Sequence, residues 1–180
     1  MVTLVTKRSA FVTAAKEDLR MKKMFRLLES GIYHKVDPDT LIKELETLHT
    51  SKSIHGLKFE TIEASPKKYL TKAIQENQGF RSRAVAIKID CYRTANLLQE
   101  HIESMVKYLT TKYNVQLSAE FKTAKDKSAA IDFLLEDFYE LKKKLDTVLW
   151  VADQIVADLD KAGWSIANVI KLFELQARRE

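Results

Sequence analysis

The chain has 180 residues, and its 30 lysine and arginine residues outnumber its 25 aspartate and glutamate residues, which gives a net charge of +5 at pH 7. Four glycines and two prolines leave few positions for turns, so we predict an all-α fold built from a few long helices. The single cysteine, Cys91, excludes an internal disulfide, and its apolar helical flanks predict a buried thiol in a reducing compartment. No apolar run approaches the roughly 20 residues that cross a bilayer, so we expect no membrane partner and a cytoplasmic location.

Residues 1–64 are predicted to form an N-terminal arm or subdomain of shorter helices. The first helix should run from Ser9 to Ser30, because apolar residues recur along it and Gly31 suits a left-handed C-terminal cap. A second helix should begin at Pro38, since an aspartate that can cap the helix precedes this proline. The rest of the region predicts a loop, and its histidines have no cysteine nearby and no carboxylate pair at ligand spacing, so we expect no zinc site there.

Residues 65–127 are predicted to form a basic helical region. A capping serine followed by Pro66 predicts a helix that ends near Asn77, just before a glycine. A long helix should follow from Phe80 to Leu109, because its apolar residues recur with the 3.6-residue period of an α-helix. The polar stretch after it predicts a connection with a short helix around Ala119 to Ala124, and Asp126 or Ser128 should then cap the last helix.

Residues 128–180 contain an apolar heptad stripe from Ile131 to Phe173, which predicts a long helix packed against other helices. Gly163 costs about 1 kcal/mol relative to alanine inside a helix, so we predict a kink or break near residues 162–165. Two interpretations stay open: the stripe is a core helix of an elongated helical bundle, or it assembles a homo-oligomer. The predicted oligomerisation residues are Phe138, Leu141, Leu145, Val148, Ile155, Leu159, Ile166 and Val169.

Positive charge is concentrated in two blocks of the sequence. Residues 1–26 and residues 66–93 each contain seven basic and two acidic residues, whereas the chain from residue 128 onward has seven basic and ten acidic residues. Either block could be a solvated helix face or could neutralise phosphates, and neighbouring aromatic rings could stack on the bases of a single strand. The predicted nucleic-acid-binding residues are Arg81, Arg83, Lys88, Tyr92, Arg93, Lys107, Tyr108 and Lys112.

The sequence contains no pattern typical of an active site. It has no glycine-rich phosphate loop, and its carboxylate pairs lie on a polar helix face that solvation explains. We therefore expect no enzymatic activity, no cofactor and no bound metal.

Near the end of the chain, a long predicted helix leads into the run Gly163, Trp164, Ser165, Ile166, Ala167, Asn168, Val169 and Ile170. With these residues, the segment from Leu145 to Gln176 resembles the end of the UvsY family of recombination mediators from T-even and related phages. A looser similarity relates Tyr69–Tyr113 to the DNA-binding helix of that family, although the family's paired basic contacts correspond here to Glu103 and Met105.

The resemblance implies a non-enzymatic helical protein of the host-cell cytoplasm that acts in DNA recombination and repair. Such a protein forms a ring-like homo-oligomer, binds single-stranded DNA and helps to load a recombinase onto strands coated by single-strand binding protein. One alternative is a helical adaptor or structural protein that acts through protein contacts. Another is an architectural protein of double-stranded DNA.

Overall fold

The computed structural model describes residues 9–30, 33, 37–50 and 66–178. These residues form seven α-helices and no strand, which confirms the all-α class and the two long helices. The predicted cap at Gly31, the loop of residues 51–64 and the cap at Ser65 lie outside the described residues. In chain order the helices are α1 (Ala10–Glu17), α2 (Leu19–Glu29), α3 (Pro38–Thr50), α4 (Pro66–Lys112), α5 (Asn114–Glu120), α6 (Ala124–Leu134) and α7 (Glu136–Ala177).

The chain divides into two compact units, and each long helix contributes to both of them. Of the described residues, those within 1–37 and 93–146 form unit 1, and those within 38–92 and 147–180 form unit 2. Each unit therefore combines residues from more than one of the three regions of the sequence.

In unit 1, the N-terminal segment forms two helices, so the prediction of one helix from Ser9 to Ser30 was wrong. Asp18 separates α1 from α2 with an extended backbone, at φ −62° and ψ 132°. Its carboxylate accepts hydrogen bonds from the backbone N–H groups of Arg20 and Met21 at 2.7 and 3.4 Å. An aspartate in this position satisfies N–H groups that the first turn of a helix leaves unpaired, so a new helix begins there.

The segment before the last helix is also more helical than the sequence predicts. Instead of a polar connection with one short helix, α5 and α6 flank the buried Phe121, whose ring packs edge-on against that of Phe11 at 6.5 Å. Thr123 caps α6 by accepting the Asp126 N–H at 3.1 Å, and its hydroxyl donates to the Asp126 carboxylate at 2.7 Å. The predicted caps, Asp126 and Ser128, were therefore wrong, because the capping residue stands three positions before Asp126.

The long C-terminal helix begins later than predicted and continues further without a break. Leu135, which is fully buried, separates α6 from α7, and α7 then runs through Gly163 to its end. The predicted kink was wrong. Gly163 does not break the helix, and its missing side chain instead allows Asn77 to lie close to the backbone of α7 within unit 2. A Cβ atom on this residue would lie 3.0 Å from Nδ2 of Asn77, which donates to the carbonyl of Leu159 at 3.0 Å.

Helix α4 likewise passes through Gly79 without a break, although the sequence predicts an end there. Buried Ala73 and Ala84 lie on either side of this glycine, so packing against the core continues across it. Packing of an apolar face stabilises a helix by more than the roughly 1 kcal/mol that one glycine costs. In unit 2, Leu70, Ala73 and Ile166 form a buried cluster that joins α4 to α7.

Most of the heptad stripe is buried within the single chain, which favours the interpretation as a core helix. Cys91 is fully buried as predicted, and burial raises the pKa of its thiol to about 11. Of the predicted oligomerisation residues, Phe138, Leu141, Leu145, Val148, Ile155, Leu159 and Ile166 are buried and Val169 is half-buried.

Candidate nucleic-acid interface

Three of the predicted DNA contacts lie on the part of α4 that belongs to unit 2, and each is paired with a carboxylate. Arg81 Nε lies 2.5 Å from Asp160, and Lys88 Nζ lies 2.5 Å from Asp153, so both side chains contact α7. Arg83 donates to both oxygens of Glu44 on α3, at 2.5 and 3.0 Å. Each cation therefore has an anion as its nearest charged neighbour.

These ion pairs neutralise much of the positive charge of the three cations but contribute little to the stability of the fold. The hydrogen bond from Arg83 lowers the pKa of Glu44, and the bond to Asp160 raises the pKa of Arg81. Because about half of each basic side chain remains exposed, water and salt screen the pairs. The net positive charge of this surface is nevertheless much lower than the sequence of α4 alone predicts.

Two further predicted contacts, Tyr108 and Lys112, belong to a hydrogen-bonded network around a buried acid in unit 1, although half of the Lys112 side chain remains exposed. The network centres on Asp18, whose side chain is only 2% exposed and lies 2.5 Å from Lys112 Nζ. The hydroxyls of Tyr108 and Tyr113 donate to the same carboxylate oxygen, at 3.0 and 2.9 Å. Burial alone would raise the pKa of Asp18, but these hydrogen bonds and the one from the Arg20 N–H hold it far below its usual value.

The Arg20 guanidinium lies 4.5 Å from the centre of the Tyr108 ring. A cation already occupies a position over this ring, so Tyr108 is not an open platform on which a base can stack. Tyr108 and Lys112 satisfy a buried acid and hold α2 against α4. Their structural role explains why they are aromatic and basic.

The last three predicted residues, Tyr92, Arg93 and Lys107, are exposed. Tyr92 exposes 58% of its surface. Within the part of the chain that the structure describes, neither Arg93 nor Lys107 forms an ion pair.

A groove that the sequence analysis did not identify lies between α2 and α4 in unit 1. Its volume is about 350 Å³. Two buried methionines and one leucine form its apolar side, and basic and polar groups form its rim. The residues that line the groove are Arg20, Lys23, Met24, Leu27, His101, Ser104 and Met105.

The basic side chains and the histidine of the groove are held in different ways. Arg20 donates through Nη2 to the hydroxyl of Ser104 at 2.9 Å, which fixes its guanidinium beside the opening. His101 is paired through Nδ1 with the hydroxyl of the buried Tyr33. Lys23 is exposed and has no ion pair among the described residues. The described lining contains no carboxylate, so the groove differs from the neutralised surface of α4 in unit 2.

Sequence reasoning missed this groove because it combines residues about 80 positions apart. Arg20 and Lys23 were counted in the first basic block, but nothing local shows that they face His101 and Ser104. One signal was available: the two cations stand one turn apart, and Met24 and Leu27 lie beside them on the same helix face.

No family model, curated protein or solved structure matches the chain. Among the described residues, no group of three or more histidine, cysteine, aspartate or glutamate side chains could hold a metal ion. The same residues include no helix that is long and apolar enough to span a membrane.

Proposed function

We propose that the chain is a non-enzymatic protein that binds single-stranded DNA, and that the groove between α2 and α4 binds part of the strand. One observation carries this proposal: Arg20, Lys23 and His101 surround an apolar groove whose described lining has no carboxylate. A guanidinium and an ammonium group suit a phosphate, and neutralising phosphates supplies most of the affinity for nucleic acid.

The apolar side of the groove favours a single strand over a duplex. Met24 and Met105 are almost fully buried and lie beside the cations. Because the methionines expose almost no surface, the half-buried Leu27 provides the apolar contact, and an unstacked base can pack on it while its phosphate meets Lys23. The bases of a duplex are stacked inside the helix and cannot reach such a groove without being extruded.

The wider role that we propose is that of a recombination mediator, which helps to load a recombinase onto strands coated by single-strand binding protein. Its support is the resemblance of residues 145–176 to the UvsY family, together with an all-α fold that has two long helices. In a homo-oligomer, copies of one weak groove would bind a strand with high effective concentration. The alternative of a helical adaptor is favoured by a different observation, the exposed tryptophans of α7.

The proposal is tested by fluorescence anisotropy with a labelled single-stranded oligonucleotide and its duplex at two salt concentrations. We expect salt-dependent binding that prefers the single strand, and Lys23→Glu should weaken it on the order of tenfold at low salt. The slope of affinity against salt should fall by about 0.7 for the lost phosphate contact.

The matched control is Lys125→Glu, which makes the same charge change at an exposed position of α6 outside the groove lining. This variant should bind nearly as well as the wild type. Equal losses in the two variants would show diffuse attraction rather than a site, and a preference for duplex would contradict the proposal.

A further inference from the structure

Helix α7 carries two exposed tryptophans on the side opposite its core residues. Trp150 and Trp164 expose 65% and 75% of their surfaces, whereas Ala152, Ile155 and Leu159 between them are buried. The two tryptophans are fourteen residues apart, which is two heptads and about 21 Å along a helix. They therefore lie on one face, which the core of unit 2 does not cover.

The residue midway between the two tryptophans is Ala157, which is also exposed. Trp150, Ala157 and Trp164 together form what we call the tryptophan face. Residues spaced by seven lie along one face of a helix, where they can contact a partner helix. The small alanine between the two large rings lets the partner helix approach closely at the centre of this face. Large exposed apolar side chains grouped on one face mark an interaction site more often than scattered ones do.

We propose that the tryptophan face binds the same face of a second copy of this chain, with the two α7 helices antiparallel and related by a two-fold axis at Ala157. This axis places Trp150 of each copy beside Trp164 of the other. The contact is self-complementary, as a two-fold interface requires. Each tryptophan then packs on a ring across the interface, and the alanines meet at the centre.

The charges beside the face select this arrangement over a parallel one. Asp153 and Lys161 are exposed and lie four residues on either side of Ala157. The two-fold axis brings Asp153 of one copy beside Lys161 of the other, so opposite charges meet twice. A parallel pair would instead bring aspartate beside aspartate and lysine beside lysine, which repel each other.

Both charged groups already have partners within the chain, and both can still reach a second copy. Asp153 pairs with Lys88 at 2.5 Å and its side chain is 52% exposed. Lys161 pairs with Asp158 at 3.3 Å and its side chain is 80% exposed. A carboxylate can accept from two cations, and the lysine has three N–H donors, so the contact between copies adds to these pairs.

Light scattering on the full chain without nucleic acid tests the contact. We expect the wild type to have an even number of subunits and Ala157→Glu to halve that number, because two glutamates would meet on the axis. The matched control is Ala167→Glu, exposed on α7 but outside the tryptophan face, which should keep the wild-type mass. Both substitutions place a glutamate four residues before a lysine, so both support the helix itself.

A monomeric wild type, or an Ala157→Glu variant with unchanged mass, would overturn the proposal. Cross-linking gives a second readout: Ala157→Cys should form a disulfide between copies under mild oxidation, and Ala167→Cys should not. The native Cys91 is fully buried, so it does not compete. Failure of Ala157→Cys to cross-link faster than Ala167→Cys would contradict the two-fold axis.

The inference rests on the homo-oligomer of the proposed function and gives it a contact surface. The two can fail separately, because mass is measured without DNA while Lys23→Glu tests the groove. If Trp150→Ala and Trp164→Ala weakened oligonucleotide binding and left the mass unchanged, the face would be a stacking platform for bases, and the proposed contact would be wrong.

Discussion

The two basic blocks of the sequence carry the same excess charge, and the fold gives them different surroundings. In unit 2, Arg81, Arg83 and Lys88 of the second block are each paired with a carboxylate from α3 or α7. In unit 1, Arg20 and Lys23 of the first block line a groove whose described residues include no carboxylate. Net charge along a sequence therefore identifies candidate surfaces, but the pairing of charges in the fold decides which cations can meet a ligand.

The acidic residues of the two units differ in the same way. Asp18 in unit 1 has a side chain that is 2% exposed and that receives several hydrogen bonds, whereas the carboxylate of Glu44 in unit 2 is 34% exposed. A buried carboxylate with satisfied partners fixes the packing of its neighbours, while an exposed pair mainly tunes surface charge. The ion pairs of unit 2 should therefore be replaceable, and the network of unit 1 should not.

The largest effect should come from Asp18→Ala. This change removes the cap of α2, leaves the Tyr108 hydroxyl without its acceptor and leaves the Tyr113 hydroxyl only the Ala14 carbonyl at 3.4 Å, so we expect a loss of about 3 kcal/mol in unfolding free energy. Urea unfolding followed by circular dichroism measures it. Glu44→Ala removes one exposed pair and should cost less than about 1 kcal/mol. Equal losses of unfolding free energy in Asp18→Ala and Glu44→Ala would show that the carboxylates of the two units do not differ in their contribution to stability.

The dependence of stability on pH should follow from the same network. The pKa of Asp18 is lower in the folded chain than its usual value of 3.8. Its contribution is therefore complete above that usual value and is lost as the pH falls through the lower pKa of the folded state. We expect the urea concentration at the unfolding midpoint to decrease as the pH is lowered below about 4, and to decrease less steeply in the Asp18→Asn variant. Identical profiles for wild type and variant would assign acid sensitivity to other carboxylates.

The two helical glycines of unit 2 should respond differently to substitution by alanine. A Cβ atom at position 79 would have no other atom within 4 Å, so Gly79→Ala should stabilise the chain by roughly 1 kcal/mol through its higher helix propensity. Gly163→Ala should give no such gain, because its Cβ atom would lie 3.0 Å from Nδ2 of Asn77. Thermal unfolding of both variants tests this. A gain in Gly163→Ala equal to that in Gly79→Ala would contradict the close contact.

The helical class and the core could be predicted because they depend on local periodicity. Steps of three and four residues in α7 placed Leu145, Val148 and Leu159 on one face, and these residues are buried. Helix ends were predicted less well. A glycine can end a helix, or it can lie inside one where a neighbouring side chain comes too close for a Cβ atom, as at Gly163. The charge pattern places Asp18 inside one basic helix, although aspartate is also a residue type that begins helices.

The site could be predicted only in part, because charge pairing joins residues far apart in sequence. Arg81 and its partner Asp160 are 79 positions apart, and Arg83 and Glu44 are 39 apart. No local pattern joins such pairs, so the second basic block appeared more available than it is. The groove depends on the packing of α2 against α4, which periodicity does not specify.

The smallest expected effect comes from removing the carboxylates that pair with the second basic block. This change tests whether ion pairing alone makes the two blocks differ in their binding of DNA. Glu44→Gln combined with Asp160→Asn removes the charges that face Arg83 and Arg81. We expect single-stranded DNA to bind a few-fold more tightly at low salt, with the salt slope raised by about 0.7 for each cation that then contacts a phosphate.

The matched control, Glu140→Gln combined with Asp137→Asn, makes the same charge change at exposed positions of α7 in unit 1. Neither carboxylate forms an ion pair within the described part of the chain, so no cation is released there. If both double variants gained affinity equally, net charge would explain the gain and the pairs would be irrelevant to binding. A gain confined to Glu44→Gln with Asp160→Asn would mean that the second block is a latent site, kept neutral by the acids of α3 and α7, while the groove of unit 1 needs no such release.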